Sequence, residues 1–128
     1  VLYGDTLSDL DVDKLIKFHK QHSQPVTLSV WPLKTQFGLV ETDSNNKVVS
    51  FKEKPTLDKW INIGYFYFDR DFMNVILQYS SWLSFLNDAA KKGIISAYKH
   101  KGIHITINTL RELSEAEDQL NKIVKEIK

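Results

Sequence analysis

Strand-like and helix-like segments alternate along the 128-residue chain, which predicts an α/β fold: a mixed β-sheet with flanking helices. Two further observations support this class. Hydrophobic residues make up 42% of the chain and aromatic residues 12%, enough apolar volume for a genuine core. No internal repeat, low-complexity tract or linker interrupts the pattern, so residues 1–128 are expected to form a single domain.

Val1-Leu2-Tyr3 reads as a short buried strand that stops at the Gly4-Asp5 turn. Leu7 to Asp11 then lead into a helix over Val12 to His22, on which Val12, Leu15, Ile16 and His19 follow helical spacing. Asp11 is its expected cap. Asp9, Asp11 and Asp13 meet the positive helix start, while Lys17, Lys20 and His22 meet its negative end. Beyond Pro25, Val26 to Trp31 and Phe37 to Thr42 are rich enough in β-branched and apolar residues for strands. The turn cluster Asp43-Ser44-Asn45-Asn46 joins the second of these to a strand over Lys47 to Lys52, which predicts a hairpin bringing Gly38 and Glu53 to one edge. Ile61 to Phe68 forms the next strand. Asp71 is expected to cap a helix running to Leu77, and Ser81 to Lys92 forms another, closed by Gly93. Ile94 to Tyr98 and Ile103 to Ile107 read as strands. Ser114-Glu115-Ala116-Glu117 has capping-box spacing, and Ala116, Leu120, Ile123, Val124 and Ile127 give the last helix one apolar stripe.

Composition narrows the function. A net charge of +1, from 17 basic and 16 acidic residues spread along the chain, offers no field to gather nucleic acid or an anionic membrane. The absence of cysteine excludes disulfides, thiolate catalysis and sulfur-ligated metal, and no apolar run approaches membrane-spanning length. A soluble protein of the cytoplasm is expected. The chain starts with Val and opens inside an expected strand, so it reads as a portion of something longer. Its five glycines are too dispersed for a G-x-G-x-x-G turn or a P-loop, and no G-x-S-x-G elbow occurs. His100 and His104 flank Gly102 in a turn-and-strand context that suits helical zinc pairing poorly. Trp31, Trp60 and Trp82 are expected to be core or interface anchors rather than a base-stacking platform.

One segment stands out chemically. On period-two alternation Val49, Phe51 and Glu53 share a face, so an apolar row ends in a carboxylate that needs a partner if buried. Lys54 points to the other side unless the backbone bends, and Pro55 stops the strand, which leaves the Glu53-Lys54 pair on a rim. Rims of α/β sheets are where ligands bind, but an exposed ion pair at a strand end has the same signature. Trp60-Ile61-Asn62-Ile63-Gly64 soon adds an amide and a glycine.

Together these residues resemble the sugar-1-phosphate nucleotidyltransferases over most of the chain. Tyr3-Gly4-Asp5 with Leu7-Ser8-Asp9-Leu10-Asp11 is similar to that family's Gly-Asp strand end and helix entry. Phe37-Gly38 with Glu41 and Asp43, then Val49-Ser50-Phe51 and Glu53-Lys54-Pro55, resembles its middle hairpin. Trp60-Ile61-Asn62 with Gly64 resembles its substrate-side strand, and Ala97-Tyr98-Lys99-His100 with Gly102, Thr109, Leu110 and Arg111 its closing segment.

The resemblance implies the C-terminal portion of a nucleotide-diphospho-sugar transferase fold, which is Rossmann-like. It implies a sugar 1-phosphate and a nucleoside triphosphate as substrates, with glucose and cytidine by similarity, and Mg2+ as cofactor. Asp5 would hold the metal, with Asn108 as a weak second ligand, and Asp5 and Lys54 would be the catalytic pair. Gly38, Glu53, Lys54, Asn62 and Gly64 would line the substrate site, Glu53 on sugar hydroxyls and Lys54 on the sugar phosphate.

Two departures matter. The family's glycine-rich nucleotide loop lies upstream of the matching region, so this chain by itself is expected to be inactive. Ile107-Asn108-Thr109 stands where the family usually carries a second metal-binding aspartate, and His104 where tryptophan is common. A non-catalytic module that binds sugar phosphate or nucleotide sugar, or one that pairs with another chain through an exposed strand edge, remains an alternative. Homo-oligomerisation is favoured by any apolar surface the fold leaves uncovered.

Overall fold

The computed structural model describes residues 1–127, with side chains throughout except at positions 122, 123 and 125–127. Its elements in chain order are β1 (Thr6–Ser8), α1 (Val12–Lys20), β2 (Val26–Lys34), β3 (Leu39–Thr42), β4 (Val48–Lys52), β5 (Thr56–Phe68), a 3-10 turn (Arg70–Phe72), α2 (Met73–Ile76), α3 (Trp82–Lys91), β6 (Ile95–Lys99), β7 (His104–Thr106) and α4 (Leu110–Ile127).

The centre is a three-stranded mixed sheet in the order β5-β2-β6, β2 running antiparallel to β5 and parallel to β6. Alternation along β2 divides its side chains between two cores. On one face Leu10, Leu15 and Ile63 form a buried cluster joined by Trp31, Ile61, Tyr65, Tyr67 and Tyr98, and α1 covers it. On the other, Val26 meets Phe85 and Ala89 of α3, with Phe68, Phe72, Ile76 and Trp82 around them. The remaining strands stand apart as two pairs, β1 with β7 and the β3–β4 hairpin.

Helix α1 starts as its sequence dictates: the Asp11 side chain accepts from the Lys14 amide at 3.0 Å. Its buried His19 stitches three elements, with Nδ1 2.9 Å from Thr27 Oγ1 and Nε2 3.2 Å from Asp69 Oδ1. Ser81 caps α3 by accepting from the Ser84 amide at 3.1 Å.

Several boundaries differ from the sequence expectation, each for a physical reason. Val1 to Tyr3 is exposed and makes a single bridge, Leu2 to Tyr65, rather than a buried strand; the first ladder strand is Thr6–Ser8. β2 continues past Trp31 through Pro32 to Lys34. Its pairing with β6 ends at Val30, so at Pro32 it has become an edge, where a residue without an N–H is tolerated. β5 begins at Thr56 rather than Ile61, its first residues running exposed opposite that edge. Asp71 caps nothing: the chain turns at Asp69, whose carboxylate is engaged by His19, and α2 spans only Met73–Ile76. The capping-box spacing occurs twice near the end, and the earlier copy starts the helix. Thr109 Oγ1 accepts from the Glu112 amide at 3.2 Å while Glu112 Oε2 accepts from the Asn108 amide at 2.8 Å, which leaves Ser114 inside α4. In the expected stripe Ala116 is buried, Leu120 and Val124 are exposed, and the side chains of Ile123 and Ile127 lie outside those described.

Phe85 is fully buried where α3 meets the sheet. Phe85→Ala is expected to cost roughly 3–5 kcal/mol, a large share of the roughly 5–15 kcal/mol that stabilises an ordinary domain. Urea denaturation followed by far-ultraviolet circular dichroism measures it.

Candidate functional site

At the hairpin end the sequence brings glycine and carboxylate together as expected. A Cβ at Gly38 would lie 2.7 Å from the Phe51 ring and 3.1 Å from Glu53 Oε2, so only glycine lets both side chains lie across that strand. Lys54 adopts φ 42°, a left-handed turn that bends the chain out of β4 before Pro55. The Pro55 carbonyl accepts from the Thr35 amide at 3.3 Å, which fixes this corner to the end of β2. The apolar row preceding Glu53 is not buried: Val49 and Phe51 are exposed, as are Phe37 and Val40. Glu53 therefore ends a solvent-facing row, and its need for a partner does not come from burial.

Farther along β5, Asn62 is held on both sides of its amide. Its Oδ1 accepts from the Gly64 amide at 2.8 Å and its Nδ2 donates to the Tyr3 hydroxyl at 3.2 Å, which also accepts from Trp82 Nε1 at 3.2 Å. Gly64, at φ 79°, lies directly under the Tyr3 ring, and a Cβ there would come within 2.6 Å of it. Gly64 is thus filled by packing, and Asn62 is oriented by it.

Asp5 and Asn108 share the edge formed by β1 and β7. The Asp5 carbonyl accepts from the Ile107 amide at 2.8 Å, continuing the Thr6 to Thr106 register, so the two residues are brought together from positions far apart in the sequence. Both are exposed, and their side chains make no hydrogen bond among the described residues. No three His, Asp or Glu side chains among the described residues gather closely enough to hold a metal unaided. One carboxylate and one amide oxygen suit magnesium, which keeps several waters and completes its shell with substrate phosphates.

This edge rests on a network that local sequence reading missed. Asp9 Oδ1 accepts from His100 Nε2 at 2.8 Å and from the Ile103 amide at 2.6 Å, while Ser8 Oγ donates to the Ile103 carbonyl at 2.8 Å. A Cβ at Gly102 would overlap the Asp9 carboxylate. Asp9 read as one more acid before a helix; no nearby residue signals a partner 91 positions away. Beside the network, His104 packs on Trp31, its Nδ1 buried without a partner. Burial chiefly, and then the neighbouring His100, hold its pKa below the usual value, against a smaller opposing pull from Asp5.

No hydrogen bond or ion pair among the described residues joins Glu53 or Lys54 to Asp5 or Asn62. The site residues thus fall in three separate groups, hairpin corner, β5 amide and β1–β7 edge, which belong to three different sheets.

The family model for nucleotidyl transferase matches residues 1–109. The chain belongs to the nucleotidyl transferase family. The glucose-1-phosphate cytidylyltransferases of Salmonella typhi and Salmonella typhimurium are each 33% identical to it over 113 residues, 86% of this chain. The chain spans 44% of the length of those relatives. Among solved structures, a protein described as a glucose-1-phosphate thymidylyltransferase of Bacillus anthracis, in complex with a sucrose, overlays with a TM-score of 0.63 at 16% identity, covering 93% of this chain and 52% of its own. HddC from Yersinia pseudotuberculosis overlays at 0.58 and 21% identity, covering 94% and 54%. These overlays establish the nucleotidyl transferase fold for the mixed sheet and its helices. No helix among the described residues is long and apolar enough to cross a membrane.

The lowered pKa of His104 has a definite consequence for stability. The fold favours the neutral ring, so this contribution is complete above the unfolded value near 6.5 and is lost as pH falls through the lower folded value. His104→Phe is expected to show a flatter stability profile between about pH 7.5 and 5 than the parent chain, read as denaturation midpoints at each pH.

Proposed function

We propose that this chain provides the sugar-phosphate-binding part of an enzyme that joins a nucleoside triphosphate to a sugar 1-phosphate, releasing a nucleotide sugar and pyrophosphate, with CTP and glucose 1-phosphate as the pair. The observation that carries this reading is the 33% identity to two glucose-1-phosphate cytidylyltransferases across most of the chain. The reaction belongs to the cytoplasm, in keeping with a chain that has no cysteine.

The chemistry asks little covalent work of the protein. A phosphate oxygen of the sugar 1-phosphate attacks the α-phosphorus in line, and the bond to pyrophosphate breaks, so positioning and charge neutralisation carry the rate. Glu53, which is solvent-facing and free of an ion pair among the described residues, accepts hydrogen bonds from sugar hydroxyls. Lys54, turned aside by its left-handed backbone, supplies positive charge to the phosphate. The amide of Asn62, oriented by Tyr3 and Gly64, fixes the sugar against β5. Magnesium would be held by Asp5 with the Asn108 amide oxygen, and when bound it offsets phosphate charge.

Calorimetric titration with glucose 1-phosphate tests this reading. Glu53→Gln and Lys54→Met are each expected to weaken binding about tenfold or more, the value of a hydrogen bond to a charged group. The chain alone is expected to bind without releasing pyrophosphate from CTP and magnesium; absence of any binding contradicts the proposal.

Asn108 favours a second reading, a sugar-phosphate binder that does not catalyse, because a neutral amide gives magnesium less than a carboxylate would. Asn108→Asp is expected to tighten magnesium binding in a calorimetric titration. Placed in a full-length version of the protein, it restores turnover if the first reading holds and leaves the protein inactive if the second does.

A further inference from the structure

Helix α3 covers only one end of the sheet face on which it packs. Val26, Phe68 and Ile95 lie against Phe85 and Ala89, but farther along the same strands Trp60, Asn62, Ala97 and Lys99 are exposed. All three tryptophans were expected to be core or interface anchors; Trp31 and Trp82 are half-buried and pack on the two cores, whereas Trp60 is 37% exposed. The register gathers these residues. Val30 of β2 stands between Asn62 on one side and Lys99 on the other, and Pro32, two residues on, pairs with Trp60. Residues two apart on a strand share a face, and the Lys99 ammonium lies 4.8 Å from the centre of the Trp60 ring. No carboxylate pairs with Lys99 among the described residues.

The position matters as much as the chemistry. Asn62 stands opposite Val30 and Trp60 opposite Pro32, two residues or roughly 7 Å apart along β5, while Thr56, opposite Lys34, lies four residues or roughly 13 Å farther along β5 across a register shift. Glu53 and Lys54 come just before Thr56 in the chain. Trp60 therefore lies between the β5 amide and the hairpin corner, two parts of the site that no direct contact joins.

We propose that Trp60 and Lys99 are substrate-binding residues for the sugar 1-phosphate: the indole is a platform for the C–H face of the sugar ring, and the ammonium is a counter-charge for its phosphate. This rests on the sugar-phosphate reading above and adds two residues that the family resemblance does not assign. Without substrate the ammonium sits on the electron-rich face of the indole. A phosphate offers it charge-assisted hydrogen bonds, which are stronger than a cation–π contact at an exposed site, so the ammonium leaves and the ring is uncovered. A neutral sugar brings no such exchange and must compete with the ammonium for the ring. The pair therefore selects for the phosphorylated form at the sugar-binding surface itself.

The test titrates the chain with glucose 1-phosphate, glucose and inorganic phosphate, followed by calorimetry and tryptophan fluorescence. Lys99→Met is expected to weaken glucose 1-phosphate binding about tenfold and to narrow the difference between glucose 1-phosphate and glucose. Trp60→Leu is expected to weaken binding and to remove most of the fluorescence change. Lys20→Met, on the helix covering the opposite face, is expected to bind as the parent does. Lys99 is exposed, so its variant should keep the parent's melting temperature, which guards against reading misfolding as lost affinity. Unchanged binding in both the Trp60 and Lys99 variants, with weakening in Glu53→Gln and Lys54→Met, overturns this inference while the sugar-phosphate reading stands. No binding of glucose 1-phosphate by the parent chain overturns both.

Discussion

A single carboxylate oxygen, Oδ1 of Asp9, holds the two ends of this fold together. It takes one hydrogen bond from His100 at the end of β6 and another from the Ile103 amide leading into β7, while the same segment enters α1. Trp31 adds a bond from its indole to the Gly102 carbonyl at 2.9 Å. A two-stranded unit such as the β1–β7 pair is marginal alone, and these bonds, with Ser8 Oγ donating to the Ile103 carbonyl, reinforce its short ladder. Asp5 and Asn108 sit at the end of that ladder, so their placement is inherited from Asp9.

The rest of the site depends on how unevenly the central sheet is covered. α1, with Leu15 and His19, and the preceding Leu10 close one face, whereas α3 closes only part of the other. Polar side chains and one indole occupy the part left open, and a face of that kind costs little to expose. The hairpin differs: Phe37, Val40, Val49 and Phe51 are all exposed, and its position relative to β5 is set through the Thr35 to Pro55 hydrogen bond rather than through a core.

The sequence was most legible where the signal is local. The Asp11 cap, the Ser81 cap, the hairpin turn and the meeting of Gly38 with Glu53 all follow from spacing within a few residues. It misled where one signal had two uses. The strand expected to stop at Trp31 runs on through Pro32, which sits on an edge, and Ser114 carried a capping pattern that Thr109 and Glu112 had already satisfied. It was silent on long-range pairs: nothing near Asp9, His19 or Trp60 announces His100, Asp69 or Lys99. The family could be recognised because its motifs keep their order, but which residues share an open face could be read only once β2 had aligned its two neighbours.

The proline in β2 bears on how the molecule behaves in a crowded solution. Beyond Val30 that strand has lost β6, and a bare edge invites an identical strand from a second molecule to zip onto it. With no amide hydrogen at Pro32 such a zipper lacks a rung almost at once, so the residue that lets the sheet end also acts as a gatekeeper against runaway polymerisation.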